Sequence, residues 1–154
     1  MKIEKTNVIR LLEQAKINFN IHTYEGVISG LDVAKILGED PDCVFKTLVT
    51  VGKSGNHYVF MIPVACELNL RKAATAVSEK NIEMIKSKEL LSLTGYVHGG
   101  CSPIGMKKTF ITVIDESAQL YDWIYFSAGK IGMQVEVAVN DLPLIIDFSF
   151  HDVV

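Results

Sequence analysis

One lysine stands inside an apolar run: Cys43, Val44, Phe45, Lys46, Thr47, Leu48 and Val49 read as an interior strand with a cation at its middle. Side chains alternate between the faces of a strand, so Lys46 shares a face with Val44 and Leu48. Its ammonium must either reach past a sheet edge, with its stem covering apolar surface, or point into a cavity. The first reading is ordinary structure. The second is chemistry, because a buried cation without a partner is costly and is kept for binding or catalysis.

A second feature is the loop Gly95-Tyr96-Val97-His98-Gly99-Gly100-Cys101-Ser102-Pro103-Ile104-Gly105-Met106-Lys107-Lys108. Glycine lets backbone N–H groups come close to a ligand and aim at an oxyanion or a phosphate. The structural alternative is a turn that needs positive φ, and the loop alone does not separate the two. A third feature, Ser127-Ala128-Gly129-Lys130-Ile131-Gly132-Met133-Gln134, again combines small residues with a lysine between two strand patterns. As a bare pattern it is a hairpin turn.

Cys101 lies three residues after His98, which raises a cysteine nucleophile, yet no orienting acid is evident and this spacing does not set a hydrogen bond. His22, His57 and His151 fall in separate elements and read as surface residues rather than metal ligands. Cys43, Cys66 and Cys101 are odd in number and form no CxxC pair, so neither a zinc site nor a disulfide framework is expected. Reduced thiols fit the cytoplasm.

The elements that must position these residues follow from periodicity. Residues 6–17 place Val8, Leu11, Leu12 and Ala15 at helical spacing behind Thr6 as an N-cap. Phe19, Ile21 and Thr23 alternate as a short strand. Ser29 starts a helix that Gly38 closes. Residues 43–51 and 58–64 form a hairpin across Gly52 to Asn56. Asn69 caps a helix over 70–77, and Ser87 caps another over 88–93 that ends at Gly95. Strands are expected over 109–114, 123–126 and 133–139, with Asn140 opening a last short helix. This mixture, with two hairpins, predicts an α/β fold in which a mixed, partly closed, barrel-like sheet is flanked by helices, rather than a regular βαβ array.

The chain has 154 residues, of which 49% are hydrophobic and 21% charged, so one packed domain spanning 1–154 is expected. No run approaches the ~18 apolar residues of a membrane span, and the charged start lacks the apolar core of a signal peptide. A cytoplasmic protein without membrane contact is expected. The net charge of −3 gives no global footprint for nucleic acid, so any RNA contact is local, weak, or assisted by a partner.

Taken together, VFKTLV, GYVHGGCSPIGMKK and SAGKIGMQVEV resemble the YbaK/EbsC family of Cys-tRNA(Pro) and Cys-tRNA(Cys) deacylases, along essentially the whole chain. The family is related to the editing domain inserted in bacterial prolyl-tRNA synthetases. The resemblance implies a trans-editing enzyme that removes cysteine from mischarged Cys-tRNA(Pro), with no metal or cofactor and with prolyl-tRNA synthetase as a partner. It implies catalytic roles for Lys46 and for Gly99, Gly100, Cys101 and Ser102. It implies substrate-binding roles for Tyr24, Phe45, His98, Pro103, Ile104, Ser127, Gly129, Gly132 and Gln134. The substrate's own thiol would attack the ester, leaving the enzyme to orient it and to stabilise an oxyanion. Arg71, Lys72, Lys107, Lys108 and Lys130 would form a basic rim touching tRNA phosphates. Three alternatives remain at this level: a deacylase for another small amino acid such as alanine, a binding module for an aminoacyl-adenosine or nucleotide without catalysis, and a hydrolase built on Cys101.

Overall fold

The computed structural model describes residues 5–25 and 29–154. Twelve helices and strands follow in order: α1 Asn7–Gln14, β1 Phe19–Thr23, α2 Gly30–Leu37, β2 Phe45–Gly52, β3 His57–Pro63, α3 Leu70–Ala76, β4 Ile82–Met84, α4 Ser87–Thr94, β5 Ile111–Asp115, β6 Trp123–Ser127, β7 Met133–Ala138 and β8 Ser149–His151. Short 3-10 turns at Pro41–Cys43, Glu116–Leu120 and Val139–Leu144 join them.

The caps explain the helix limits. The Thr6 hydroxyl accepts from the Ile9 N–H, Ser29 from Asp32 and Asn69 from Lys72, each satisfying one orphan donor of a first turn. Gly38 ends α2 at φ 69°, a left-handed conformation that glycine takes without strain. Ser87 departs from expectation, because it is the first helical residue of α4 and Lys86 takes the cap position with no side-chain hydrogen bond. The final helix is a 3-10 segment that starts at Val139, one residue before Asn140. Strand β5 runs over Ile111–Asp115 rather than 109–114, and the three-residue β4 and β8 are too short to leave a pattern in sequence.

The strands form two sheets. One is antiparallel in the order β1-β7-β6; the other is mixed in the order β4-β2-β3-β5-β8. Within the second, β3 and β5 pair in parallel, as do β5 and β8. Among the described residues one parallel bridge, between Val44 and Tyr125, joins the two sheets into a curled surface that does not close. The main core lies between them, with Phe45, Val49, Val59 and Met61 facing Phe126, Val135 and Val137. The other face of β3, carrying Tyr58, Phe60 and Ile62, packs on Ala73 and Ala74 of α3. Both faces of β3 are therefore dry, which is why it reads as an uninterrupted apolar run.

The outer face of the smaller sheet is polar. Glu136 accepts hydrogen bonds from Asn20, Tyr125 and His22, at 3.1, 3.0 and 3.1 Å. Burial pushes its carboxyl up, but hydrogen bonds from His22, Asn20 and Tyr125 outweigh this and hold it below the usual carboxylate range. A depressed folded value means that the contribution to stability is complete above the unfolded value of about 4.3 and is lost as pH falls through the folded one. Glu136→Gln should therefore lower stability near neutrality and flatten the acid limb of a urea-midpoint profile. An unchanged profile would show that the cluster is energetically silent.

Candidate active site

Strand β2 presents its second edge to two partners that diverge. At its start Val44 bridges to Tyr125 of β6, and at its end Thr50 to Gly52 pair with β4. Between these points no strand of the described residues covers it. The gap opens into a pocket of about 480 Å³ lined by residues 44–48, by Tyr24 just after β1, by Ser127 and Gln134 of the smaller sheet, and by His98, Gly99 and Cys101 from the first glycine loop. Val33 of α2, Val64, Leu90 and Ile131 supply apolar wall. The two sequence readings of Lys46 are thus reconciled, since its strand is interior while its own stretch of edge is open.

Lys46 makes no ion pair and no hydrogen bond among the described residues, and no described Asp or Glu lines the pocket. Nearby, burial pushes the Cys66 thiol up, the charges of Asp42 and Asp115 add to this, and the Lys46 ammonium opposes them. An unneutralised cation facing a partly apolar cavity calls for an anion, or for an oxygen that becomes one, brought by the ligand.

The two glycine loops pack on each other. A Cβ on Gly100 would stand 3.0 Å from the backbone of both Lys130 and Ile131, so a side chain there would push the two loops apart by a few tenths of an ångström. The N–H of Gly100 donates to Val97 C=O at 3.0 Å and is not free for a ligand. The N–H groups of Gly99 and Cys101, which border the pocket, have no partner among the described residues. Of residues 99–102, Gly99 and Cys101 line the pocket and Gly100 and Ser102 do not.

Ser102, Pro103 and Ile104 turn away from the pocket into buried positions, where the Ser102 hydroxyl accepts from the Ile104 N–H and the Tyr96 hydroxyl donates to Ile104 C=O at 2.5 Å. They brace the loop. Gly129 sits under Val8 and Tyr96, its N–H donating to the Ser127 hydroxyl, and Gly132 lies beside the Tyr24 carbonyl while its own carbonyl accepts from the Tyr24 N–H. Neither lines the pocket; Gly132 sets the position of Tyr24. Phe45 borders the pocket while packing in the main core. Burial pushes the Cys101 thiol up to about 12, which keeps it neutral at physiological pH.

The basic residues do not form one rim. Lys72 is tied to Asp152 and to Val154 C=O, both at 2.8 Å. Arg71 borders a separate recess beside α3. Lys107 and Lys108 are exposed after the first glycine loop, and the half-buried Lys130 belongs to the second; none lines the pocket. Thr47, a pocket residue without a sequence motif, was not singled out by pattern because a threonine in a strand is unremarkable.

Gly100→Ala should separate the loops, lowering stability by about 1–3 kcal/mol and displacing the free amides, as read by urea unfolding and ligand affinity. An unchanged affinity would mean that loop contact does not shape the pocket. With iodoacetamide at pH 8, the partly exposed Cys66 should alkylate well before Cys101. Equal labelling by mass spectrometry would refute a neutral, buried Cys101.

Comparison with known proteins bears on this geometry. The sequence profile of the aminoacyl-tRNA editing domain matches residues 26–144. EbsC of Enterococcus faecalis, whose name assigns it to Cys-tRNA(Pro)/Cys-tRNA(Cys) deacylation, is 42% identical over 153 residues, covering 97% of this chain and 93% of that protein. A proline--tRNA ligase of Pelobacter propionicus is 32% identical over 84 residues, which span 54% of this chain and 15% of the ligase. Among solved structures, one described as a trans-editing enzyme for prolyl-tRNA synthetase superposes with a TM-score of 0.83 at 20% identity, covering 97% of this chain and 98% of that one. That last likeness concerns the fold alone. The profile match and the near-full-length likeness to EbsC place the chain in the aminoacyl-tRNA editing domain family.

Proposed function

We propose that this protein deacylates mischarged tRNA in trans, removing cysteine from Cys-tRNA(Pro). The observation that carries this reading is the Lys46 ammonium, unpaired among the described residues at the border of a pocket with no described carboxylate, which Gly99 and Cys101 also line with backbone N–H groups that have no partner among the described residues. A pocket of about 480 Å³ lies within the range that encloses a small organic ligand, which suits the aminoacyl-adenosine end of a tRNA. The full-length likeness to a Cys-tRNA deacylase supports cysteine as the amino acid. The partial likeness to a proline--tRNA ligase supports prolyl-tRNA synthetase as the partner enzyme.

In this mechanism the cysteinyl sulfur attacks the ester carbonyl carbon, forming a four-membered thiolactone through a tetrahedral oxyanion. Lys46 and the N–H groups of Gly99 and Cys101 stabilise the negative charge. The bond to the ribose oxygen then breaks, and that oxygen leaves carrying the proton that the thiol gave up. The enzyme contributes orientation and charge stabilisation, and the substrate contributes the nucleophile. A Cys101 thiol held up at about 12 is a poor competitor for that role.

Lys46→Ala should keep the urea midpoint near that of the wild type and lower the deacylation rate by about 100-fold or more, as loss of an oxyanion-stabilising group does. Cys101→Ser should retain most of the rate. Seryl-tRNA(Pro) should react far more slowly than cysteinyl-tRNA(Pro), because a hydroxyl supplies much less anion near neutral pH than a thiol. An acyl group found on Cys101, or stoichiometric binding without release of amino acid, would overturn the proposal.

A further inference from the structure

Two buried oxygens at the pocket have no hydrogen-bond partner among the described residues, Gln134 Oε1 and Thr47 Oγ1. Gln134 is 6% exposed, and its Nε2 donates to the Tyr24 hydroxyl at 3.3 Å, which turns its carbonyl oxygen away from that bond. A buried acceptor left unsatisfied is destabilising, so its place at a pocket points to a donor supplied by the ligand.

The backbone adds a third acceptor. Val64 N–H donates to Val44 C=O and Gly52 N–H to Asn56 C=O, both at 2.8 Å. Even-numbered residues of β2 therefore exchange hydrogen bonds with β3, and odd-numbered ones turn their N–H and C=O to the opposite edge. On that edge Val51 faces Glu83 of β4, Val49 C=O accepts from Ile85 N–H at 3.4 Å, and Phe45 adjoins the bridge to Tyr125. Thr47 falls in the uncovered stretch. Its carbonyl joins its hydroxyl and Gln134 Oε1 as acceptors around one cavity.

All three acceptors are neutral. A carboxylate in the same space would pair with Lys46 and cancel the charge on which the oxyanion depends. Neutral oxygens can hold a donor cation without that loss, and the group adjoining the carbonyl of a cysteinyl ester is an α-ammonium with three N–H donors. We infer that the pocket reads the free α-ammonium of its substrate through Gln134 Oε1 and the Thr47 hydroxyl and carbonyl, and so rejects esters whose α-amine is acylated, peptidyl-tRNA among them. This inference rests on the aminoacyl-ester reading of the site and names the group that makes it selective.

Binding and turnover are measured separately. The probes are two unreactive amides, 3′-cysteinylamino-3′-deoxyadenosine with a free α-amine and the same compound N-acetylated, titrated against wild type, Gln134→Met and Thr47→Val. Acetylation should weaken binding to wild type by about tenfold or more, as losing a hydrogen bond to a charged group does. Gln134→Met should weaken the free-amine probe by a similar factor and leave the acetylated one within about twofold, compressing the ratio. Thr47→Val should compress it less, because its carbonyl remains. Equal binding of both probes to wild type, or equal weakening of both by Gln134→Met, would overturn amine recognition. So would a 2′-deoxy free-amine probe that alone accounts for the loss in Gln134→Met, since the ribose hydroxyl would then be the donor. A protein that discriminated between the probes yet released no cysteine from Cys-tRNA(Pro) would refute the deacylase reading and leave amine recognition standing.

Discussion

Strand β2 has one edge to divide between β6 and β4, and neither reaches its middle. Everything at the site depends on that division. A fully paired β2 would have its backbone groups satisfied and no opening beside Lys46. An unpaired β2 would be an exposed edge, open to association with other strands. The curl that brings β6 to Val44 and the short connection that brings β4 to Thr50 leave a gap a few residues long, wide enough for a small ligand and roofed by α2 and the first glycine loop.

Rigidity of the roof comes from close backbone packing. Gly100 against Lys130 and Ile131, together with Gly129 against Tyr96 and Val8, presses the two glycine loops onto each other and onto α1. Thr6 strengthens the same junction, its hydroxyl donating to Ala128 C=O at 2.6 Å while capping α1. The Tyr96 hydroxyl, pushed up to about 12 by burial and by the neighbouring Cys101, remains a donor to Ile104 C=O across the physiological range. Amides held this way need little reorganisation when charge develops on a substrate oxygen, the condition under which such donors are most effective.

No described carboxylate lines the pocket, although acidic groups stand close by, Glu136 being two residues from Gln134 on the same face of β7. Acidic side chains gather on the outer face of the smaller sheet and around the start of β2, where Glu136 is satisfied by Asn20, His22 and Tyr125, and Cys43 senses Glu39 and Asp40 after its own burial. The pocket itself carries one described cation and neutral acceptors. In a cavity of low polarity an added carboxylate would interact with Lys46 far more strongly than in water, so its exclusion preserves the field.

Sequence alone determined the type of most elements, because caps, glycine stops and two-residue alternation are local: Thr6, Ser29, Asn69 and Gly38 act within a few residues of themselves. It also marked Lys46 and both glycine loops, since a cation in an apolar strand and clustered glycines depart from what packing requires. Tertiary structure decided which loop residues border the pocket and which do not, because Cys101 is packed in the core and still lines the cavity while the fully buried Ser102 does not, a matter of packing between segments distant in sequence. It likewise decided that Lys72 of α3 pairs with Asp152 and Val154 and that Thr47 lines the cavity. An unsatisfied oxygen is invisible in a string of residue types, because satisfaction is a property of neighbours, and the neighbours of Gln134 and Thr47 are set by where β6 and β4 part.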